Sequence, residues 1–262
     1  ALSGLFSSPN YLGFWLASIW PFTLFYLLKN KNKFFIALLT ILISYFILLT
    51  NSRNALLGIF ISIPVFFGFK MLFYVILICF VIILIFNQFS PILISNLSFA
   101  ELLPVKLINK FLQTNTFDIE KVIRLDIFVK AIELIKQKPI LGWGASTFSI
   151  LYLSIGGRFE PQHTHNIALE IAHNYGLPIS ILFTSFISII VFKSFKIIFF
   201  KKPFSSSINK SWFCSFIIAI AYNFSDITYY DGKISLFIWI LLAGLIGIIE
   251  KGSMPYKKPI QS

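Results

Sequence analysis

Hydrophobic residues run through this chain in long stretches that short polar segments separate. Seven stretches approach the roughly 17–25 apolar residues that a helix needs to cross a bilayer core about 30 Å thick. They are Tyr11–Leu28, Phe34–Thr50, Asn54–Phe69, Met71–Phe86, Gly176–Phe200, Ser211–Ser225 and Ile234–Ile249. The third, fourth and sixth are short. The pattern predicts an all-α integral membrane protein with about seven transmembrane helices.

The same pattern divides the chain into four parts. Residues 1–87 hold the first four predicted spans, 88–165 form one large extracytoplasmic loop, 166–250 hold the last three spans, and 251–262 form a tail. The loop itself contains amphipathic helices. One is predicted from Asp118, as the capping residue, to Lys138, where Pro139 and the glycines of LGWG end it.

Composition supports a membrane location and excludes other classes of protein. Hydrophobic residues make up 57% of the chain and charged residues 12%, whereas soluble domains average about 25% charged. A soluble enzyme, a secreted disulfide module and a disordered chain are therefore excluded. Cys79 and Cys214 both fall inside apolar stretches, which predicts free buried thiols.

The net charge of +12 indicates a membrane because of where the charges fall. If the connections alternate sides, one side collects 12 lysines and a single acid, Glu250. The long loop carries eight basic and six acidic residues and is nearly neutral. Positive loops stay in the cytoplasm, so the long loop is predicted outside it and the tail inside. The basic residues are therefore predicted to contact the lipid bilayer, and no nucleic acid is expected as a partner.

Two arginines stand out on the outer side. Arg124 lies within the broad apolar arc of the predicted loop helix, formed with residues such as Leu125 and Ile132. There it must pair with a carboxylate, reach lipid phosphate, or bind an anion at the membrane surface. Arg53 is the only charged residue between Lys33 and Lys70. It either anchors a turn at the interface or contacts a phosphate, which a guanidinium can bind with two hydrogen bonds.

The three histidines fall within eleven residues, in the segment PQHTHNIALEIAHNYG. Histidine exchanges its proton near neutral pH and can serve as a general base. A helix predicted from Asn166 to Tyr175 would place His165 at its start. Two other interpretations remain open: structural histidines without chemistry, and a zinc site of His163, His165 and Glu170, because His-x-His is a known ligand spacing.

Read in order, five outward segments resemble those of the O-antigen ligase/polymerase family of bacterial inner-membrane proteins. The segments are SGLFSSPNYLG, NSRNALLG, the Arg124 helix with KPILGWGASTF, HTHNIALEIAHNYGLPIS, and NFSDITYYDGKISLFIWILLAGL. Together they span nearly the whole chain, and they occur on the same predicted side of the membrane.

The resemblance implies a metal-independent glycosyltransferase without cofactors. Such a protein moves a glycan from an undecaprenyl-pyrophosphate carrier to a periplasmic acceptor, which is lipid A core for a ligase and another carrier-linked repeat unit for a polymerase. By matching position, Arg53 and Arg124 would hold the pyrophosphate and His165 would activate the acceptor hydroxyl. Asp226 and Asn166 would support them.

Two further expectations follow. Family members usually have ten or more spans, so with seven predicted spans either this chain begins partway through a longer protein or part of the carrier groove is absent. A membrane solute transporter is the rival class. It would require broken helices and ionisable residues near the bilayer midplane, and the predicted spans carry almost none.

Overall fold

The structure is a computed structural model that describes residues 2–30, 33–68, 70–78, 81, 114–158 and 160–254. Regular secondary structure in these residues is entirely helical. The main helices are α1 (Pro9–Lys29), α2 (Lys33–Leu49), α3 (Arg53–Phe67), α4 (Thr114–Gln137), α5 (Phe148–Ser154), α6 (Ile167–Tyr175), α7 (Leu177–Phe200), α8 (Ser207–Ser225) and α9 (Gly232–Ser253). Residues 70–78 are also helical, and a 3-10 turn at Lys202–Phe204 joins α7 to α8.

Among the described helices, three are long and apolar enough to cross a membrane: α1, α7 and α9. Helices α2 and α3 are apolar but shorter, with 17 and 15 residues. The predicted sixth span corresponds to α8, which begins one turn earlier than predicted, after the capping residue Ser206. The predicted fourth span lies partly outside the described residues. An all-helical membrane protein is confirmed, and the count of seven spans stays a prediction.

Helix α8 lies at the centre of the bundle. One face packs against α1 and α3 and the other against α7 and α9, so that it takes part in two hydrophobic cores. Small residues allow α1 to approach α3 and α8 closely. A Cβ atom on Gly13 of α1 would lie 3.0–3.1 Å from atoms of Ser52, Ala55 and Tyr222. Close approach through small residues is the usual way in which membrane helices pack.

Polar side chains of α8 add hydrogen bonds inside this contact. The hydroxyl of Ser211 donates to the carbonyl of Pro21 at 2.8 Å, and that of Ser215 donates to the carbonyl of Ser18. Both bonds join α8 to α1. Cys214 is a free, buried thiol, as the sequence predicted, whereas Cys79 lies outside the described residues.

Helix α4 differs from its prediction at its start and on one face. It begins at Thr114, so Asp118 lies inside the helix and does not cap it. Only part of the predicted apolar arc is buried within the chain, because Leu125 and Ile132 are 60% and 42% exposed. The buried face is narrower and packs against α5. Its members are Ile127, Ala131 and Leu134, against Phe148 and Tyr152.

The LGWG segment fastens α4 to the junction of α6 and α7. The amides of Trp143 and Gly144 donate to the carbonyls of His173 and Asn174 at 2.7 and 3.0 Å, and the Leu177 amide donates to Pro139 at 2.7 Å. Gly176 separates α6 from α7 with φ of 90°. A Cβ there would lie 1.9 Å from the carbonyl oxygen of Ile140. This junction fixes α6, and the segment before it, at the end of the helix bundle.

Candidate functional site

Asn166 determines where helix α6 begins. Its side-chain oxygen accepts hydrogen bonds from the amides of Ala168 and Leu169 at 3.0 and 3.1 Å, which makes it the cap of α6. Its side-chain nitrogen donates to the carbonyl of Phe224 at 3.0 Å, in the last turn of α8. Asn166 therefore ties the start of α6 to the end of α8, and His165 lies directly before the helix, as predicted.

The fold brings His165 against Asp226. Asp226 follows the last residue of α8 as its C-cap, and its Oδ1 lies 3.0 Å from Nδ1 of His165. The other carboxylate oxygen accepts a hydrogen bond from the side-chain amide of Asn10 at 3.1 Å. The side chains of His165 and Asp226 are 28% and 13% exposed, so solvent or a ligand can reach the histidine while the carboxylate is largely covered.

Asp226 is ionised at neutral pH. Burial raises the pKa of its carboxyl, but the hydrogen bond and charge of His165, the charge of His163 and the amide of Asn10 outweigh it, and the pKa is lowered. A carboxylate beside Nδ1 of a neutral imidazole fixes the proton on that nitrogen. Nε2 of His165 then carries the lone pair and is the atom that can accept a proton.

His163, to which the family resemblance gave no role, forms a cluster with His165 and Asp226. Its Nδ1 accepts the backbone amide of His165 at 3.1 Å, and its Nε2 lies 3.8 Å from Oδ1 of Asp226. The two imidazole rings are 4.4 Å apart between centroids. Burial, and secondly the charge of His165, lower the pKa of His163; Asp226 and Glu170 offset this only in part. His163 is therefore neutral at pH 7.

The predicted zinc grouping of His163, His165 and Glu170 is not the one that the fold assembles. Asp226 takes the place of Glu170, and the three possible ligand atoms lie within 4.8 Å of one another. However, Nδ1 of His163 accepts an amide hydrogen, so the neutral ring carries its proton on Nε2, the nitrogen that faces Asp226. A metal would bind that nitrogen only after it gave up its proton. With the hydrogen bonds as they stand, the cluster can hold and exchange protons.

Arg124 lies next to this cluster. Its Nη1 donates to the backbone carbonyl of Ser225 at 3.2 Å, one residue before Asp226. A cation at the C-terminus of a helix interacts favourably with the helix dipole, which explains why an arginine is stable there. A guanidinium carries five N–H donors, so it can hold the Ser225 carbonyl and an anionic ligand at the same time.

Arg53 is placed at the same end of the bundle by the residue before it. Ser52 caps α3, of which Arg53 is the first residue. The Ser52 hydroxyl lies 3.0 Å from the hydroxyl of Tyr222, one turn before Asp226 on α8. The two arginines predicted to act together thus both lie near the C-terminus of α8.

An apolar cavity of about 730 Å³ lies beside the cluster, between α6, α7, α8 and α9. Its polar lining includes Glu170, Asn174, Asn223 and Tyr230, and aromatic and aliphatic side chains of the bundle form most of its walls. This cavity was not predicted from the sequence. Neither was the contact of Asn10 with Asp226, because 216 residues separate those two partners.

A comparison with protein families matches residues 13–184 to the family described as O-antigen ligase. The matched segment is about two thirds of the 262-residue chain. It contains Arg53, Arg124, His165 and Asn166, whereas Asp226 lies beyond it. No curated protein matches the chain.

Proposed function

The chain belongs to the O-antigen ligase family, and from this premise we propose that it transfers a glycan from an undecaprenyl-pyrophosphate carrier to an acceptor hydroxyl. The observation that carries the proposal is the contact of His165 with Asp226 at 3.0 Å. The pair lies at the end of a membrane helix bundle, and Arg124 is bound to the carbonyl of Ser225, the residue before Asp226. A base next to a fixed cation is what a transfer from a pyrophosphate requires.

His165 acts as the general base. Asp226 holds the imidazole in the tautomer with the proton on Nδ1, so that Nε2 accepts the proton of the acceptor hydroxyl. The hydroxyl oxygen forms a bond to the anomeric carbon as the bond from that carbon to the pyrophosphate breaks. The anionic Asp226 then stabilises the imidazolium, as the carboxylate does in a Ser-His-Asp triad. Direct attack inverts the configuration of the anomeric carbon.

Arg53 and Arg124 stabilise the leaving group. Negative charge develops on the pyrophosphate as its bond to the sugar breaks, and fixed guanidiniums bind phosphate oxygens in pairs. Both arginines keep their charge at any relevant pH. Because two arginines supply this positive charge, we propose that the reaction needs no metal and no cofactor.

The apolar cavity supports a lipid substrate. It adjoins the cluster through two of its lining residues, Glu170 and Tyr230. Its apolar walls offer a polyprenyl chain an environment like the bilayer interior. Asn166 supports the site by tying α6 to α8. We further propose an inner-membrane location with the long loop in the periplasm and the C-terminus in the cytoplasm, as the lysine distribution favours.

A polymerase of the same family would use the same chemistry with a different acceptor. The two alternatives separate in one assay: purified protein in liposomes receives an undecaprenyl-pyrophosphate-linked oligosaccharide and either lipid A core or a second carrier-linked unit. Transfer to the first acceptor identifies a ligase and transfer to the second a polymerase.

The same assay tests the base. His165→Ala should slow transfer about 10²–10⁴-fold, the usual contribution of a positioned base. Asp226→Asn should also slow it, because an amide does not hold the imidazole in the required tautomer. Glu133→Gln, on the exposed side of α4, is the control and should transfer at the wild-type rate. Wild-type rates in both site variants would refute the proposed mechanism.

A further inference from the structure

Glu170 is a buried carboxylate that the proposed reaction does not use. Only 3% of the residue is exposed, in the first turn of α6. A carboxylate buried this deeply needs hydrogen bonds to compensate for lost water. Three donors supply them: the Thr164 amide to Oε2 at 2.9 Å, and the Tyr230 hydroxyl and Asn174 amide to Oε1 at 2.7 and 3.3 Å.

Two of these donors belong to the segments that carry His165 and Asp226. Thr164 lies between His163 and His165. Tyr230 belongs to the turn that begins at Asp226, and its ring stacks on that of His163 with centroids 6.0 Å apart. One carboxylate thus fixes residues 163–165, the histidine segment, to residues 226–230, the aspartate turn.

The histidine segment needs such a restraint because of its backbone. His165 has φ of 55°, in the left-handed region that residues other than glycine adopt only at a cost. Such a conformation persists where several surrounding contacts enforce it. Two such contacts are hydrogen bonds from consecutive backbone amides. The Thr164 amide donates to the carboxylate of Glu170, and the His165 amide donates to Nδ1 of His163 at 3.1 Å.

We propose that Glu170 is a positioning residue that holds Nδ1 of His165 against Asp226 without touching the reacting atoms. The proposal rests on the proposed role of His165 as the base. Since a misplacement of about 1 Å can slow a reaction about 100-fold, Glu170→Gln should lower kcat roughly 10–100-fold. The KM for the carrier-linked oligosaccharide should stay near that of wild type, because the arginines that bind it are unchanged.

A double-mutant cycle distinguishes positioning from an independent effect. In the liposome assay, Glu170→Gln should lower kcat in the wild-type background and have no further effect in the His165→Ala background. An equal loss in both backgrounds would overturn the proposal, because Glu170 would then act without His165. Glu133→Gln serves as the control for loss of a carboxylate.

A chemical probe tests the same idea without the glycan reaction. Diethyl pyrocarbonate modifies neutral histidines, and mass spectrometry of peptides reports each site. Glu170→Gln should raise the rate at His165 several-fold and leave His173, which is fully buried in α6, protected. An unchanged rate at His165 would mean that Glu170 does not hold the segment. Exposure of His173 as well would mean that Glu170 maintains the fold. Either result overturns the proposal.

The two proposals fail in different ways. Full transfer by His165→Ala would refute the base, while the probe would still report whether Glu170 fixes the segment. If Glu170→Gln does not fold, Tyr230→Phe removes one donor and keeps the carboxylate. It should lower kcat by a smaller factor, again only when His165 is present. Wild-type kcat and wild-type His165 reactivity in Tyr230→Phe would overturn the proposal.

Discussion

Oδ1 of Asp226 lies 3.0 Å from Nδ1 of His165, although 61 residues separate the two in sequence. Each partner is placed by a helix end: Asp226 follows the last residue of α8, and His165 precedes the cap of α6. The bond from Asn166 to the carbonyl of Phe224 joins these two helix ends. The pair is therefore a product of how α6 docks on α8, and changes at that contact should alter the chemistry.

Substitution of the arginines tests whether they bind pyrophosphate. Arg124→Lys should lower transfer at least about tenfold, because a point ammonium cannot replace a two-pronged phosphate contact. Arg53→Lys should have a milder effect, since it begins a helix at a turn that can adjust. Transfer from a carrier-linked oligosaccharide in liposomes is the measurement. Arg158→Lys, at an exposed loop position, is the matched control. If the Arg124 and Arg53 variants equal this control, neither arginine binds the leaving group.

Acidification should destabilise the protein through His163. Because its pKa is lowered from the ordinary value of 6.5, the unfolded chain binds a proton at pH values where the folded chain does not. Stability should therefore fall as the pH drops below about 6.5. A second loss should follow below the ordinary value of 3.8 for Asp226, whose pKa is also lowered.

Thermal unfolding of the detergent-solubilised protein across this pH range measures both losses. His163→Asn keeps an acceptor for the His165 amide but cannot be protonated, so it should remove the loss that begins near pH 6.5. It should keep the loss below pH 3.8. An unchanged profile in this variant would show that another group causes the acid sensitivity.

Gly176 should tolerate no side chain. Its φ of 90° is unfavourable for other residues, and a Cβ would meet the carbonyl oxygen of Ile140 at 1.9 Å. Gly176→Ala should lower the free energy of unfolding by at least about 1–3 kcal/mol and loosen the junction of α6 and α7. Gly247→Ala is the control, because a Cβ at this helical position meets nothing within 4 Å. Equal melting temperatures for the two variants would contradict the argument.

The sequence predicted what depends on local pattern. Long apolar stretches located the helices near Tyr11, Gly176 and Ile234 as helices able to span a membrane, and Asn166 was recognisable as the start of a helix. Arg124 and His165 were chosen because their residue types suit an anion and a proton. These inferences need only the residue and its neighbours in the chain.

What the sequence could not predict depends on contacts between distant segments. The partner of His165 lies 61 residues away, and Glu170 has a role only because Thr164 and Tyr230 meet at its carboxylate. The zinc grouping with Glu170 failed for the same reason: sequence spacing placed Glu170 near the histidines, but its carboxylate accepts hydrogen bonds from other groups. Arg124 was predicted to pair with a carboxylate, reach lipid phosphate or bind an anion, and its hydrogen bond to the carbonyl of Ser225 could not be foreseen from the sequence.

Metal removal tests the assignment of His163 as a proton-carrying neighbour. Its Nδ1 accepts the His165 amide at 3.1 Å, so Nε2 keeps its proton and faces Asp226 at 3.8 Å. Excess EDTA should therefore leave glycan transfer unchanged, and His163→Asn, which preserves the accepted hydrogen bond, should transfer glycan far better than His165→Ala. A metal site makes the opposite demands, because it needs a lone pair on Nε2 of His163. If EDTA abolishes transfer, added zinc restores it, and His163→Asn is as inactive as His165→Ala, then the three side chains bind a metal and His165 is its ligand, not a base.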